Sequence, residues 1–442
     1  MYEDLTVTAS TSLALAASAR GKEILTPRDL CRDRGLSLAR VAQGAVYFDS
    51  LLGYAILRSE DAGVLRSRQR RFDKKASSTN FGLKITRSRL KSEGLEKLDP
   101  GEVLLNDDSR PARNWRIRDL GNWPEQLTGR SQRVAVMDSG IAFGFDALPR
   151  RRDHADFCSC NWINACTHDL DDHGTKCAGV IGARVAVGSE RRSVAPDADV
   201  IAAQVAKIDY ENYTTLADLL LMLSWVIHRW KVRVVSMSFC AAIRNQGADG
   251  QDVLGIVAGR LRQFDRALIF CAAEEQGYGK HIQLSYPASA DQVVPVGEYL
   301  VDRDTLANQQ ASLITDSVST VGIWAARDDL LLGPGSNLTT IDDQGREDND
   351  FSDPSGACAF VAGVAVLYME AFPCRSVEQI LAAMKADARR FTTPATCVQR
   401  WPAIRFPPDR RACWLCEMFG PLVRAILRGG HRLWHWFFGG LS

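Results

Sequence analysis

Five short apolar runs, at 133–137, 199–205, 232–237, 267–272 and 293–297, recur through the middle of this chain, with helix-type spacing between them at 216–229 and 253–264. Runs that are apolar at nearly every residue, instead of at every second one, belong to strands buried on both faces. Their alternation with helices predicts an α/β fold: a mostly parallel twisted sheet with helices on both faces. In such a sheet the chemistry gathers beyond the carboxyl ends of the strands. The chain has 442 residues and is 46% hydrophobic, enough to fill one large core and leave room for a smaller unit.

Residues 1–119 read as that smaller unit. The segment YFDSLLGYAILRSEDAGVLRS, at 47–67, has the pattern of a strand, a turn and then a helix, which predicts a small N-terminal α+β module. A basic run at 67–75 (SRQRRFDKK), a charge-rich stretch at 84–97 and an irregular linker at 107–115 follow it. The α/β domain is expected over 120–392, and 393–442 form a tail rich in Cys, Trp and Arg. With 54 basic against 53 acidic residues, no global field points to nucleic acid as a partner. The apolar patch at 13–19 follows Glu3 and Asp4 and lacks the basic flank and length of a secretory signal. No run of about 18 apolar residues predicts a transmembrane helix. Several of the twelve cysteines, such as Cys177, Cys240, Cys271 and Cys358, sit in apolar windows that suit buried free thiols. The expectation is therefore a cytoplasmic protein, not a secreted one.

Three windows carry chemistry. Asp138 ends the first apolar run in VAVMDSG, His173 opens a small-residue helix in DDHGTKCAG, and Ser355 precedes an apolar helix at 357–367 in DPSGACAFVAG. A serine hydroxyl is a poor nucleophile at neutral pH. It needs an imidazole to take its proton and a carboxylate to hold that imidazole's tautomer. The chain order Asp, His, Ser is one of the few known to assemble such a set.

From about residue 133 to 390 the sequence resembles the subtilisin-like serine proteases, the subtilases. Beyond the three windows, SVAPDADVIAAQV at 193–205, VVSMSF at 234–239 and DDLLLGPGSNL at 328–338 look like further blocks of that family in the right order. The resemblance implies an endopeptidase acting on protein or peptide substrates through a Ser355 acyl-enzyme, with Asp138 as orienting acid and His173 as general base and acid. It implies specificity-pocket walls at Ser236, Ser238, Phe239, Cys240, Ala272, Ala273 and Gly277, and a thiol beneath the triad at Cys177. It requires no cofactor for the chemistry and leaves room for a structural calcium. It also gives the N-terminal module the character of an inhibitory prodomain, with 68–75 as a processing site; a plain structural extension is the competing reading.

Two departures bear on competence. FCAAEEQG puts Glu275 where the family usually has an asparagine that donates to the tetrahedral oxyanion, and one such donor is worth about a hundredfold to a thousandfold in rate. Either Glu275 donates in protonated form, favoured by burial, or Gln276 supplies the amide. Asp353-Pro354 replaces the usual Gly-Thr before the nucleophile, adding negative charge near the site. The alternative function is accordingly a weakened pseudoprotease serving as a peptide-binding or regulatory module. In the tail, Cys413, Cys416, His431 and His435 have the spacing of a zinc site. Gly429 and Gly430 would break the helix that carries the histidines, so no metal is expected there. Arg424, Arg428 and Arg432 among Leu, Trp and Phe instead suit packing on the protein's own body or on a partner, or docking at a membrane surface.

Overall fold

The computed structural model describes residues 126–148, 169, 171–184, 193–205, 213–243, 252–273, 275–276, 283–299, 327, 329–335, 338–351, 353–393, 396–405 and 407. It also describes residue 52 and the strands at 5–8, 24–25, 46–49, 54–58, 77–79 and 82–86. Its centre is one sheet of β1 (Arg133–Asp138), β2 (Asp199–Gln204), β3 (Val234–Met237), β4 (Leu268–Ala272), β5 (Val294–Tyr299), β6 (Leu331–Pro334) and an edge hairpin, β7 (Arg389–Thr393) with β8 (Thr396–Ala403). The spatial order is β2-β1-β3-β4-β5-β6-β8-β7. The first six strands run parallel, and β7 and β8 pair antiparallel. The five predicted strands are all present. Two features lie beyond them: β6, whose Leu-Leu-Gly-Pro is short and ends in strand breakers, and the hairpin, which straddles the expected boundary at 392/393 and joins β6 at Leu332 and Ala403.

The helices are α1 (His173–Gly182), α2 (Leu216–Trp230), α3 (Val253–Gln263), α4 (Pro354–Ala371) and α5 (Val377–Asp387). The chain steps from β1 through α1 to β2, then back past β1 through α2 to β3. Right-handed crossovers put helices that feed opposite directions on opposite faces. So α1 covers one face, while α2 and α3 cover the other. Helix α4 lies with α1 and runs beneath β1, β3, β4, β5 and β6.

Helix α4 has no polar face: 17 of its residues are buried, from Pro354 to Ala371. Contrary to the sequence expectation, its 18 residues are long and apolar enough to cross a bilayer by length and composition. Here that surface is enclosed by the sheet on one side and α1 on the other, the other environment a helix apolar all round can have. Its one charged residue, Glu370, takes the backbone N–H groups of Thr128 and Gly129 at 2.8 and 2.6 Å, at the entry to β1.

In the N-terminal module, the described strands from Leu5–Thr8 to Ser77–Thr79 form a five-stranded sheet built on the hairpin Val46–Asp49 and Tyr54–Arg58, while Gly82–Thr86 belongs to a separate three-stranded sheet. The helix predicted after Glu60 lies outside the described residues. Leu52, Tyr54 and Ile56 are fully buried and belong to the same core as α2. Asp49, also buried, accepts the Leu52 N–H at 2.9 Å, the Ser224 hydroxyl at 2.7 Å and His228 Nε2 at 2.8 Å. Tyr54 Oη donates to the Leu220 carbonyl at 2.8 Å. Asp49→Ala would remove the acceptor of the buried Leu52 N–H, a loss of about 1–3 kcal/mol, and would leave Ser224 with only Tyr54 Oη and the part-buried His228 Nε2 without its carboxylate. Hydrogen exchange should then quicken by tenfold or more at 46–49 and 54–58, while β1 and β3 stay slow.

Candidate active site

The strand order reverses between β1 and β3, and the crevice outside the carboxyl ends at such a point is where α/β sheets bind ligands. Asp138 is the last residue of β1 and is buried. His173 is the first residue of α1, and its Nδ1 donates to Asp138 Oδ1 at 2.8 Å. In the neutral ring that places the proton on Nδ1, on the Asp138 side, and leaves Nε2 as the acceptor. Nε2 is buried and has no hydrogen-bond partner among the described residues.

The close approach of α1 to β1 depends on Gly174, because a Cβ there would collide with the Gly140 carbonyl oxygen. Ser139 locks the junction. Its N–H donates to Asp138 Oδ1 at 2.7 Å, its hydroxyl accepts from Gly174 N–H at 3.0 Å, and the same hydroxyl donates to Asp169 at 2.5 Å. Asp169 also takes the Thr175 N–H at 2.6 Å, and burial is the main cause that raises its pKa above the usual value. Asp169 was missed in the sequence. The acidic run ahead of His173 was its signal, since a carboxylate there can tie a strand end to a helix start.

Ser355 is the second residue of α4, after Pro354, whose missing N–H costs nothing at a helix start. Its hydroxyl donates to the Ser238 carbonyl at 3.1 Å, and the Ser238 hydroxyl donates to the Ser355 carbonyl at 3.1 Å. The fold thus brings Ser355 to the end of β3, beside the β1 end that holds Asp138 and His173. Its oxygen is parked on Ser238 and makes no bond to the imidazole. The Ser355 N–H donates to Asp353 Oδ1 at 2.7 Å.

Around His173 stand Asp138, Asp353 from the start of α4, and Asp171 ahead of α1, with the Phe351 ring edge-on at 6.1 Å between centroids. Burial by itself would lower the imidazole's pKa. The Asp138 charge and hydrogen bond, then Asp353 and Asp171, outweigh it and raise the pKa from 6.5 to about 9.

The predicted pocket residues divide. Ser238 and Phe239 just past β3, Ala272 at the last position of β4 and Ala273 just past it are buried. Ser236 is turned away: its hydroxyl meets Cys358 Sγ of α4 at 3.7 Å, beneath the sheet. Cys240 opens the strand Cys240–Ile243, and Glu275 and Gln276 pair through their backbones with Leu284 and Gln283. Gly277, Cys413, Cys416, His431 and His435 lie outside the described residues, as does the basic run at 68–75. The strand Gly82–Thr86 lies between Tyr213–Thr215 and Cys240–Ile243, antiparallel to both. An extended segment added between two edges is how peptides are commonly held. It runs with Thr86 opposite Cys240, the end nearer Ser238.

Cys177, Cys271 and Cys358 are buried free thiols. Among the described residues, Asp138, His173 and Cys177 are the one group of such donors close enough to share a cation, within 4.8 Å. A calcium ion needs six or more oxygens. This set offers one carboxylate, an imidazole and a thiol that burial pushes well above its usual pKa, so it does not fit calcium.

A carboxylate-held imidazole and a helix-start serine, carried to the carboxyl ends of neighbouring strands at the switch point of a parallel sheet, are the parts that serine hydrolases use. A sequence model of the subtilase family matches residues 129–400, more than half of the protein. The chain belongs to the subtilase family of serine proteases. It is 28% identical over 223 residues to the minor extracellular protease Epr of Bacillus subtilis (strain 168), 49% of this chain and 29% of that protein's length. Among solved structures, the S41 psychrophilic protease has a TM-score of 0.51 at 18% identity, covering 68% of this chain and 99% of its own. MycP1 from Mycobacterium smegmatis has 0.49 at 19%, covering 70% and 90%.

The raised His173 pKa links to stability. A folded-state value above the unfolded one means that the protonated imidazole stabilises the fold. That contribution is full below pH 6.5 and is lost as pH rises through about 9. In a Ser355→Ala background, His173→Gln should cost most at pH 6, and chemical denaturation should show the cost shrinking by pH 10.

Proposed function

We propose that this protein is a serine endopeptidase, made in a self-blocked form, that cleaves peptide bonds through a Ser355 acyl-enzyme. The observation that carries the reading is the 2.8 Å bond from His173 Nδ1 to Asp138, which commits the imidazole's other nitrogen to accepting a proton. In the reaction, Ser355 Oγ turns from the Ser238 carbonyl and attacks the substrate carbonyl carbon as its proton passes to His173 Nε2. Asp138 holds the tautomer and stabilises the imidazolium. His173 then gives that proton to the leaving amine. Water hydrolyses the acyl-enzyme by the same relay. Glu275, in protonated form, or Gln276 supplies a second donor to the oxyanion.

The inhibitory reading of the N-terminal module is supported by Gly82–Thr86, which fills the position of a peptide strand and heads toward the nucleophile. This strand lies downstream of 68–75, which favours processing just after Thr86 over processing in the basic run. Intact mass of the incubated protein should report loss of the module by cleavage within a few residues of Thr86, and no loss in Ser355→Ala. Retention of the full mass in both, under conditions where a small probe labels Ser355, would remove the self-processing idea.

A pseudoprotease is favoured by one specific feature, the capture of the Ser355 N–H by Asp353. A fluorophosphonate probe separates the two readings. Wild type should label and Ser355→Ala should not. The rate should climb with pH to half-maximum near 9, because only neutral His173 accepts the proton. A folded wild type that labels no better than Ser355→Ala rules out the peptidase.

A further inference from the structure

The first N–H groups of a helix have no intrahelical partner, and at α4 those that follow the cap go to one residue, Asp353. Pro354 has no N–H. The Ser355 N–H donates to the Asp353 carboxylate at 2.7 Å, and the Gly356 and Ala357 N–H groups donate to the Asp353 carbonyl at 2.9 and 3.4 Å. Asp353 is itself held extended, with its N–H on the Gly335 carbonyl at 2.9 Å. The backbone N–H of a nucleophile is where an acyl-transfer reaction places the substrate's developing oxyanion. Here a carboxylate oxygen already sits on that donor, presenting the charge an oxyanion would bring.

We propose that Asp353 is a built-in stopper of the oxyanion site, so that acylation of Ser355 begins only when its carboxylate swings off the Ser355 N–H. The inference rests on the peptidase reading above. The parked Ser355 hydroxyl agrees with it, since both polar groups of the nucleophile are engaged away from a substrate in this state. The same carboxylate acts on the base. Among the described residues, the charged groups facing His173 are Asp138 from β1, Asp171 ahead of α1 and Asp353 from α4, with the Cys177 thiol one turn along α1. Asp353 therefore also helps keep the imidazole protonated near neutral pH.

The test is fluorophosphonate labelling of the full-length protein between pH 6 and 11, for wild type, Asp353→Gly, Asp353→Asn and Ser355→Ala, each checked for folding by circular dichroism. Glycine removes the carboxylate at little cost to a helix cap. Asparagine removes the charge but keeps a weaker acceptor. The alkaline plateau should rise about tenfold or more in Asp353→Gly, within the hundredfold to thousandfold that one oxyanion donor is worth. It should rise less in Asp353→Asn, and the climbing limb should move to lower pH in both. An Asp353→Gly plateau at or below wild type overturns the stopper. If the glycine variant does not fold, an Asp353→Asn plateau at or below wild type does the same. If wild type labels and the variants gain nothing, only this inference fails. If no folded protein labels above Ser355→Ala, the peptidase reading fails with it.

Discussion

The enclosure of helix α4 is the constraint from which the rest of the architecture follows. A helix of 18 residues with one charge cannot face water along any stripe, so it must be wrapped on every side. The parallel sheet supplies one wall and α1 another. Because α4 starts at the carboxyl ends of the strands, its second residue, Ser355, emerges at the switch point between β1 and β3. Core packing and the position of Ser355 are thus one and the same fact. The Cys358 contact with Ser236 shows the cost of this arrangement, since a strand residue that reads as pocket wall is spent on seating the helix.

Electrostatics then determine the state of the site. Three carboxylates converge on one largely enclosed imidazole, and their combined pull exceeds the desolvation that would neutralise it. Asp138 is common to any such relay. Asp353 is not, and it touches the system twice, through charge on His173 and through a hydrogen bond to Ser355. With its hydroxyl on the Ser238 carbonyl and its N–H on Asp353, Ser355 has both polar groups engaged away from His173. The strand Gly82–Thr86 pairs antiparallel with both Tyr213–Thr215 and Cys240–Ile243, tying a segment ahead of the domain to the stretch just after Ser238.

Much of the domain was legible in the sequence because parallel strands buried on both faces leave an unmistakable apolar signature. The runs at 133–137 and 267–272 became β1 and β4 with shifts of one residue. β6 was missed because Leu331–Pro334 is four residues long and ends in Gly-Pro, so that only its neighbours in space identify it as a strand. The apolar length of α4 was also missed, because glycine, alanine and cysteine dilute the pattern that leucine and valine would have made plain. In the hairpin around Asp49, alternating residues predicted the first strand, while the second was hidden in what read as a turn leading to a helix.

By itself the sequence determined the fold class, the three windows holding Asp138, His173 and Ser355, and the unusual residues Glu275 and Asp353. Those are local matters, set by periodicity and by residue type at element ends. Only the tertiary structure decided which way the side chains act: that Ser139 and Asp169 tie β1 to α1, that Asp49 reaches Ser224 and His228, and that Asp353 covers the Ser355 N–H. Most of these contacts join segments far apart in the chain, and even the local one depends on a rotamer and a helix start that packing selects. Hydrogen bonds are directional and short, so a residue's chemistry is settled by the groups within about 3 Å of it, and a linear sequence does not record those.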